Sequence, residues 1–167
     1  VTTSASHGYA NGQFVRITGA NGSYTSLNNN IYVVGDAVTT TYTLRNLANT
    51  AYITPPAGST NSTAGSGQRC FTSTCEVQVT ISAHGYANGD WIYIAGVGGM
   101  TQINSSGNTP WTISGVATNT FILPGTNGPS YGTYTSGTGN ASKCFTATCE
   151  VQVTSANHGF ANGDLIH

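Results

Sequence analysis

The chain has 167 residues and a formal net charge of -1, and only 5% of its residues are charged, against about a quarter in an average globular protein. Such a composition offers no basic patch, so it argues against binding to nucleic acid or to an anionic membrane. The chain also has no run of about eighteen apolar residues, so membrane insertion is not expected.

Short strands separated by glycine-rich turns are predicted along the chain, with no helix. The hydrophobic fraction of 38% is rich in Val, Ile, Tyr and Phe, which favour half-buried strands. Two segments rich in Gly, Ser, Thr, Asn and Pro, at 55–68 and 125–142, are predicted to be flexible loops or linkers. The predicted strands are 14–17, 32–34, 41–44, 77–81, 91–94, 111–113 and 120–123.

Two sequence elements recur in the same frame. The block His84-Gly-Tyr-Ala-Asn-Gly-Asp90 has copies at 7–13 and 158–164, and Cys70-Phe-Thr-Ser-Thr-Cys75-Glu-Val-Gln-Val recurs from Cys144 onwards. Repetition of this kind indicates that one supersecondary unit is stacked or strung along the chain. We therefore predict three repeats: 1–76 as a first β module, 77–150 as a second, and 151–167 as the first strands of an incomplete third.

The expected fold is all-β, built from tandem small β-barrel or sandwich modules of about 75 residues. A core of that size is marginal alone, so help from disulfides or from a neighbouring module is expected. Alignment of the first two repeats pairs aromatic with aromatic and aliphatic with aliphatic residues. The core is therefore predicted to contain Phe14, Ile17, Leu27, Tyr32 and Tyr42, and their counterparts Trp91, Ile94, Ile103, Trp111 and Phe121.

The second repeat resembles a known family over residues 84–123. The residues that carry the likeness are His84-Gly-Tyr-Ala-Asn-Gly-Asp90, Gly96-Val-Gly-Gly-Met-Thr-Gln-Ile-Asn104, Trp111-Thr-Ile and Thr120-Phe-Ile-Leu. They look like the first catalytic cysteine half-domain of ubiquitin-activating enzymes, and similar modules occur in tandem in phage and bacterial surface or tail proteins. The resemblance implies a small β-barrel. It does not imply ubiquitin chemistry, because the chain has no nucleotide-binding loop and no adenylation domain.

Four cysteines form two Cys-x4-Cys pairs, for which three disulfide pairings are possible. Because equivalent repeats should carry equivalent bonds, local bridges between Cys70 and Cys75 and between Cys144 and Cys149 are predicted. A four-cysteine zinc site or free thiols are the alternatives, although the two pairs lie 74 residues apart. Disulfides would place the protein outside the cell or at the cell surface.

The repeated His beside Asp resembles an acid/base pair or a metal site. Gln13 stands in the first copy where Asp90 stands in the second, so we interpret the block as a turn between strands. No catalytic residue, no metal ligand and no cofactor is predicted, and the protein is not expected to be an enzyme. The turn motif comprises His7, Gly8, Gly12, His84, Gly85, Gly89, Asp90, His158, Gly159, Gly163 and Asp164.

The sequence suggests two kinds of contact with sugars, non-covalent glycan binding and covalent glycosylation. Tyr9, Tyr86, Trp91 and Trp111 could stack on glycans if they were exposed, although core packing is the competing interpretation. Sequons of the Asn-x-Ser/Thr type predict possible glycosylation. They lie at Asn21, Asn61, Asn104 and Asn140.

The third repeat carries the functional hypothesis. Residues 151–167 would supply first strands without the rest of a barrel, leaving apolar residues for an assembly contact at Val151, Val153, Phe160, Leu165 and Ile166. Either the natural polypeptide continues, or this segment completes another copy by strand addition. We predict a structural subunit of an extracellular filament, joined head to tail to copies of itself. The alternative is a module of a phage tail fibre or adhesin that binds surface glycans.

Overall fold

The computed structural model describes residues 1–59, 62–150 and 153–165. Within these ranges the chain is all-β, as predicted, and contains no α-helix. Three short 3-10 turns lie at Gly22–Leu27, Thr101–Ile103 and Gly128–Ser130. The strands are β1 (Phe14–Thr18), β2 (Ile31–Gly35), β3 (Thr43–Arg45), β4 (Ser66–Cys70), β5 (Val77–Thr80), β6 (Trp91–Ala95), β7 (Trp111–Thr112), β8 (Thr120–Leu123) and β9 (Asn140–Cys144).

The first repeat forms one antiparallel sheet in the order β3-β2-β1-β4. Strand β1 is central, and its Val15 lies opposite Tyr32 of β2 on one side and Arg69 of β4 on the other. Just before β3, a further bridge joins Thr2 to Thr41.

The second repeat has the same pairing pattern. Strand β6 lies between β7 and β9, with Ile92 opposite Trp111 and Lys143. Strand β5 pairs with β8, and a bridge from Ser114 to Ile122 connects this pair towards β7. The register of β6 thus repeats that of β1, whereas the independence of the two repeats as folding modules stays a prediction.

Each repeat has its own hydrophobic cluster. Alternate residues of the central strand point inward in both, because side chains in a strand alternate between its two faces. The first cluster contains Val15, Ile17, Ala20, Tyr32, Val34, Tyr42 and Leu44. The second contains Val77, Ile92, Ile94, Val97, Ile103, Ile113, Phe121 and Leu123.

The predicted core is correct at most positions and wrong at two. Phe14 and Trp91 are only half-buried and belong to neither cluster. Each is adjacent to a fully buried residue, Val15 or Ile92, so strand alternation turns it to the opposite face. Leu27 and Trp111 are half-buried but do pack against the clusters, and the other predicted core residues are buried.

Two strands were not predicted. Strands β4 and β9 overlap the ends of the segments 55–68 and 125–142, which were predicted to be loops. Their sequences, Ser-Gly-Gln-Arg-Cys and Asn-Ala-Ser-Lys-Cys, are largely polar and exposed, so they carry no hydrophobic alternation. Both form because their backbones pair along the whole length of a central strand.

Candidate functional site

The histidine of each turn motif bonds its own backbone and, in two copies, a neighbouring strand. In the second copy the Nδ1 atom of His84 accepts the backbone N–H of Tyr86 at 3.0 Å. The Nδ1 atom must therefore be unprotonated, and Nε2 donates to the carbonyl oxygen of Thr120 at 3.4 Å. The first copy makes the same two contacts, with Tyr9 at 2.9 Å and Thr41 at 3.2 Å.

The last residue of the motif closes the turn in all three copies. The Oδ2 atom of Asp90 accepts the N–H of Ala87 at 2.9 Å, and the N–H of Asp90 donates back to the carbonyl of Ala87. Gln13 forms the same pair with Ala10 through its Oε1 atom, at 3.1 Å. An amide oxygen therefore replaces the carboxylate in this role, which supports the interpretation of the motif as a turn.

The two glycines of the motif are required by backbone conformation. Their φ angles are positive in every copy, 66° and 85° for Gly8 and Gly12, and 72° and 98° for Gly159 and Gly163. A side chain there would meet no atom within 4 Å, so space is not the reason. Only glycine adopts these angles without strain.

An aromatic group packs beneath each of the first two turns. His84 stacks on Tyr86 with ring centroids 4.8 Å apart, and both rings contact the buried Phe121 edge-on. The hydroxyl of Tyr86 donates to the carbonyl of Ala141 in β9 at 3.1 Å. His7, Tyr9 and Tyr42 repeat the group, with the Tyr9 hydroxyl bonded to Gly67, and burial raises the pKa of Tyr42 to about 12.

Three of the four residues considered for glycan stacking have intramolecular partners. Tyr9 and Tyr86 are half-buried and bonded to β4 and β9 as described. The Nε1 atom of Trp111 donates to the carbonyl of Ile103 at 2.8 Å, and the ring packs on the second cluster. Trp91 is half-buried on the outer face of β6. Glycan binding therefore gains no geometric support from Tyr9, Tyr86 and Trp111.

An ion pair distinguishes the second copy from the first. The Nζ atom of Lys143 lies 2.8 Å from Oδ2 of Asp90, and this contact, with the Ala87 N–H, holds the pKa of Asp90 below its usual value. In the first repeat the corresponding positions hold Gln13 and Arg69. Arg69 has no carboxylate partner within the described ranges, and its guanidinium lies over the ring of Phe71.

Both predicted local disulfides are present, between Cys70 and Cys75 and between Cys144 and Cys149. We call residues 70–76 the first corner and residues 144–150 the second corner. The Cα atoms of the paired cysteines lie 4.6 Å and 4.8 Å apart, within the range that disulfides span. Each corner is closed further by a threonine hydroxyl that accepts the N–H of the following Glu, at 2.9 and 3.0 Å.

The first corner lies at the junction of two repeats. Cys70 ends β4, and Val77 begins β5 directly after Glu76. The second repeat holds this corner through two hydrogen bonds. The N–H of Gly125 donates to Oε1 of Glu76 at 2.8 Å, and the N–H of Gly128 donates to the carbonyl of Cys75 at 3.1 Å. The connection between the repeats is therefore fixed covalently and by hydrogen bonds.

The second corner has the same internal geometry but is less covered. Cys75 is 4% exposed, whereas Cys149 is only half-buried, and Glu150 is exposed where Glu76 is half-buried. Among the described residues, no group takes the place of Gly125 beside Glu150. The second corner is therefore preformed but unpartnered in that part of the chain.

The C-terminal segment, residues 153–165, keeps the turn and lacks the packing. His158 accepts the N–H of Phe160 and Asp164 accepts that of Ala161, as in the other copies. Yet every described residue of the segment is exposed, including Val153 at 74%, Phe160 at 57% and Leu165 at 87%. Val151 and Ile166, also predicted for the assembly contact, lie outside the described residues.

The sequons differ in how far their asparagines are engaged. Asn104 is half-buried, and its amide accepts from and donates to the backbone of Val97, as Asn28 does with Ala20 in the first repeat. Asn21 bonds Ser62 and Thr63. Asn140 is exposed at the start of β9, and Asn61 lies outside the described residues. Glycosylation stays a prediction, which the geometry favours most at Asn140.

A groove of about 400 Å³ lies between β5 and β9, lined mainly by apolar side chains such as Val79, Ile94, Val97 and Met100.

Within the described ranges, no cluster of three or more His, Cys, Asp or Glu side chains could hold a metal ion. The same part of the chain contains no helix of the length and apolarity needed to cross a bilayer.

Comparison of the chain with protein-family models, with curated proteins and with solved structures found no match. The resemblance to the first catalytic cysteine half-domain therefore stays a prediction, which rests on the residues that carry it. The two disulfides favour an oxidising environment outside the cytoplasm.

Proposed function

We propose that the protein is a structural subunit of an extracellular filament, in which copies of the chain join head to tail through the C-terminal segment. The observation that carries this proposal is the state of the third turn motif. Its backbone turn is formed as in the other copies and Phe160 stacks on His158, but no strand among the described residues covers the segment, and all of its described residues are exposed. Residues 153–165 form no strand in the structure, so no described strand pairs with their backbone groups, which lie beside exposed apolar side chains, and such a segment favours pairing with another chain.

A charge match points to the acceptor of the segment. In the second repeat the last residue of the turn motif pairs with a cation of the final strand, as Asp90 does with Lys143. The first repeat has the cation, Arg69, but Gln13 in place of the acid. The third copy has the acid, Asp164, without a cation among the described residues. Residues 153–165 of one molecule thus complement the first repeat of the next.

In this arrangement the C-terminal segment occupies the position that residues 2–14 hold in the isolated chain. Asp164 then replaces Gln13 beside Arg69, Phe160 replaces Tyr9, and Leu165 replaces Phe14. Because Phe160 and Leu165 are apolar like the Tyr9 and Phe14 that they replace, the burial gained by one segment is nearly balanced by the burial lost from the other. An exposed ion pair contributes only about 0 to 1 kcal/mol, so the charge match acts mainly on partner choice and register.

The contact is heterologous, because a donor segment on one molecule meets an acceptor on another. Heterologous contacts build open filaments when the rotation between subunits does not close a ring. A chain with few charges and two internal disulfides suits such an exported structural material. Other copies of the chain are therefore its proposed partners.

Negative-stain microscopy and sedimentation of the purified chain test the proposal, with a pair of charge reversals. We expect filaments from the wild type, and fewer or shorter filaments from Asp164→Lys or Arg69→Glu alone. Mixing the two single variants should restore assembly, because every junction between unlike molecules is matched as Asp with Arg or Lys with Glu. The double variant should also assemble, and it keeps the wild-type net charge.

Folding of each variant is checked by near-UV circular dichroism and by the absence of titratable thiols. Dispersed monomers of the wild type at high concentration would contradict the filament itself. If all the charge-reversal variants form filaments as the wild type does, the acceptor is not the first repeat.

A further inference from the structure

Asparagine followed by glycine can modify itself without an enzyme. The backbone nitrogen of the glycine attacks the side-chain Cγ of the asparagine, ammonia leaves, and a cyclic succinimide forms. Water then opens the ring to aspartate or isoaspartate. The reaction needs a glycine nitrogen that is not held in a hydrogen bond and an amide that can rotate towards it. The chain has five such pairs, at Asn11, Asn21, Asn88, Asn127 and Asn162.

The first two copies of the turn motif hold both reacting groups. The Oδ1 atom of Asn88 accepts the N–H of Val116 at 3.0 Å, which fixes the amide, and the N–H of Gly89 donates to the carbonyl of Ile113 at 2.9 Å. In the first copy Asn11 accepts from Ala37 at 2.7 Å, and Gly12 donates to Val34 at 2.8 Å. Attack would require both bonds to break.

The two pairs outside the motif are each held at one group. The side chain of Asn21 bonds Ser62 and Thr63, which fixes the amide. Gly128, which follows Asn127, donates its N–H to the carbonyl of Cys75 across the first corner, so the attacking nitrogen is engaged.

The third copy of the motif holds neither group. Asn162 and Gly163 are exposed, and within residues 1–59, 62–150 and 153–165 neither the amide of Asn162 nor the nitrogen of Gly163 has a hydrogen-bond partner. The residues that supply these partners in the other copies lie 22 to 28 residues further along the chain, at Val34, Ala37, Ile113 and Val116.

We propose that Asn162-Gly163 is a self-modifying site in the unassembled molecule, and that assembly protects it. This inference rests on the proposed function, because engagement of the C-terminal segment by a first repeat would supply the partners that Asn11 and Gly12 use. Conversion to isoaspartate inserts a methylene into the backbone of the turn, and either product adds a negative charge beside Asp164. A subunit that stays unassembled therefore loses its ability to join, which makes the site a timer on assembly.

The first experiment needs only the soluble chain. It is incubated in mildly alkaline buffer, and peptide mass spectrometry follows the conversion at each Asn-Gly pair. Asn162 should react faster than Asn11 and Asn88 by about tenfold or more, because those two pairs must first open locally. The three share the sequence Ala-Asn-Gly, so Asn11 and Asn88 are matched internal controls. Equal rates at the three positions would overturn the site.

The second experiment compares filaments with soluble chain in the same buffer. Conversion at Asn162 should fall in filaments to the rate seen at Asn88, and aged soluble chain should no longer assemble. An Asn162→Gln variant, which reacts far more slowly, should keep its ability to assemble after the same ageing. Equal conversion at Asn162 in filaments and in solution would overturn the protection. If the wild type never forms filaments, the proposed function and the effect of modification on assembly are both contradicted. The reactivity of Asn162 in the soluble chain is then still tested by the first experiment.

Discussion

The second and third copies of the turn motif share one local geometry, including a histidine stacked on the aromatic residue two positions later, and differ in what the rest of the chain packs against it. Both have positive φ angles at their glycines, a histidine that accepts a backbone N–H two residues later, and an aspartate that closes the turn. Only the second has a carbonyl for the histidine Nε2, an aromatic ring beneath it and a cation for its aspartate. Seven residues are therefore enough for the turn, whereas its burial depends on strands 30 or more residues away.

The two corners teach the same lesson about the disulfides. Their bonds, loop length and threonine cap are equivalent, and only the first is covered by a following repeat. Differences in stability between matched variants therefore measure what coverage adds to a locally formed element.

Removal of the disulfides should give the largest effect. Loss of a bond that closes about six residues costs about 2 kcal/mol by loop entropy, and this part is equal at both corners. Cys70→Ser with Cys75→Ser should cost about 1 kcal/mol more than the matched pair at Cys144 and Cys149, because a hydroxyl at position 75 is buried without a partner. Urea unfolding of the two double variants measures the difference, and equal midpoints would show that coverage of the first corner is energetically neutral.

Truncation of the aromatic residue of the turn motif should give the second-largest effect, with a large loss of stability in the second copy and a small one in the third. Tyr86→Ala removes the contacts with His84 and Phe121 and the bond to Ala141, and should cost about 2 kcal/mol. Phe160→Ala should change the stability of the soluble chain by less than about 0.5 kcal/mol, because Phe160 is 57% exposed. Thermal unfolding compares the two variants. A large loss from Phe160→Ala in the monomer would mean that the segment packs within its own chain.

The smallest effect concerns the ion pair. Asp90→Asn keeps an oxygen for Ala87 but loses the charge contact with Lys143, whose side chain is 46% exposed, and should cost about 0.2 to 1 kcal/mol at pH 7. The pKa of Asp90 lies below 3.8, so this contribution is complete above that pH and is lost as the pH falls through the lower value of the folded state. Unfolding midpoints of wild type and variant should therefore converge in acid, and a constant gap would contradict the assignment.

Repetition made much of this structure predictable. The two local disulfides, the turn and the strands at β1, β5, β6 and β8 follow from sequence patterns that recur in equivalent places. Strands β4 and β9 were not predicted from the sequence. Polar, exposed edge strands form through backbone pairing, which leaves no pattern in the side chains. A signal was nevertheless present, since both lead directly into a repeated cysteine.

The ion pair between Asp90 and Lys143 was also not predicted, for a different reason. Gln13 and Asp90 close the turn in the same way, and the acid by itself does not indicate its basic partner. Arg69 and Lys143 occupy equivalent positions, each directly before a cysteine, so a basic residue is kept in both repeats. The basic residue is present in both repeats, whereas the acid is present only in the second. This difference indicates an ion pair in the second repeat and a basic residue without its acid in the first.

The position of the first disulfide also has a mechanical consequence. Cys70 and Cys75 lie 4.6 Å apart, whereas the five peptide units between them would span about 17 Å when stretched. Tension applied along the chain passes through the sulfur bridge, so the residues between the cysteines cannot be drawn out. Reduction would release roughly 12 Å of slack at this junction. The bond therefore sets how far the link between the two repeats can extend under load.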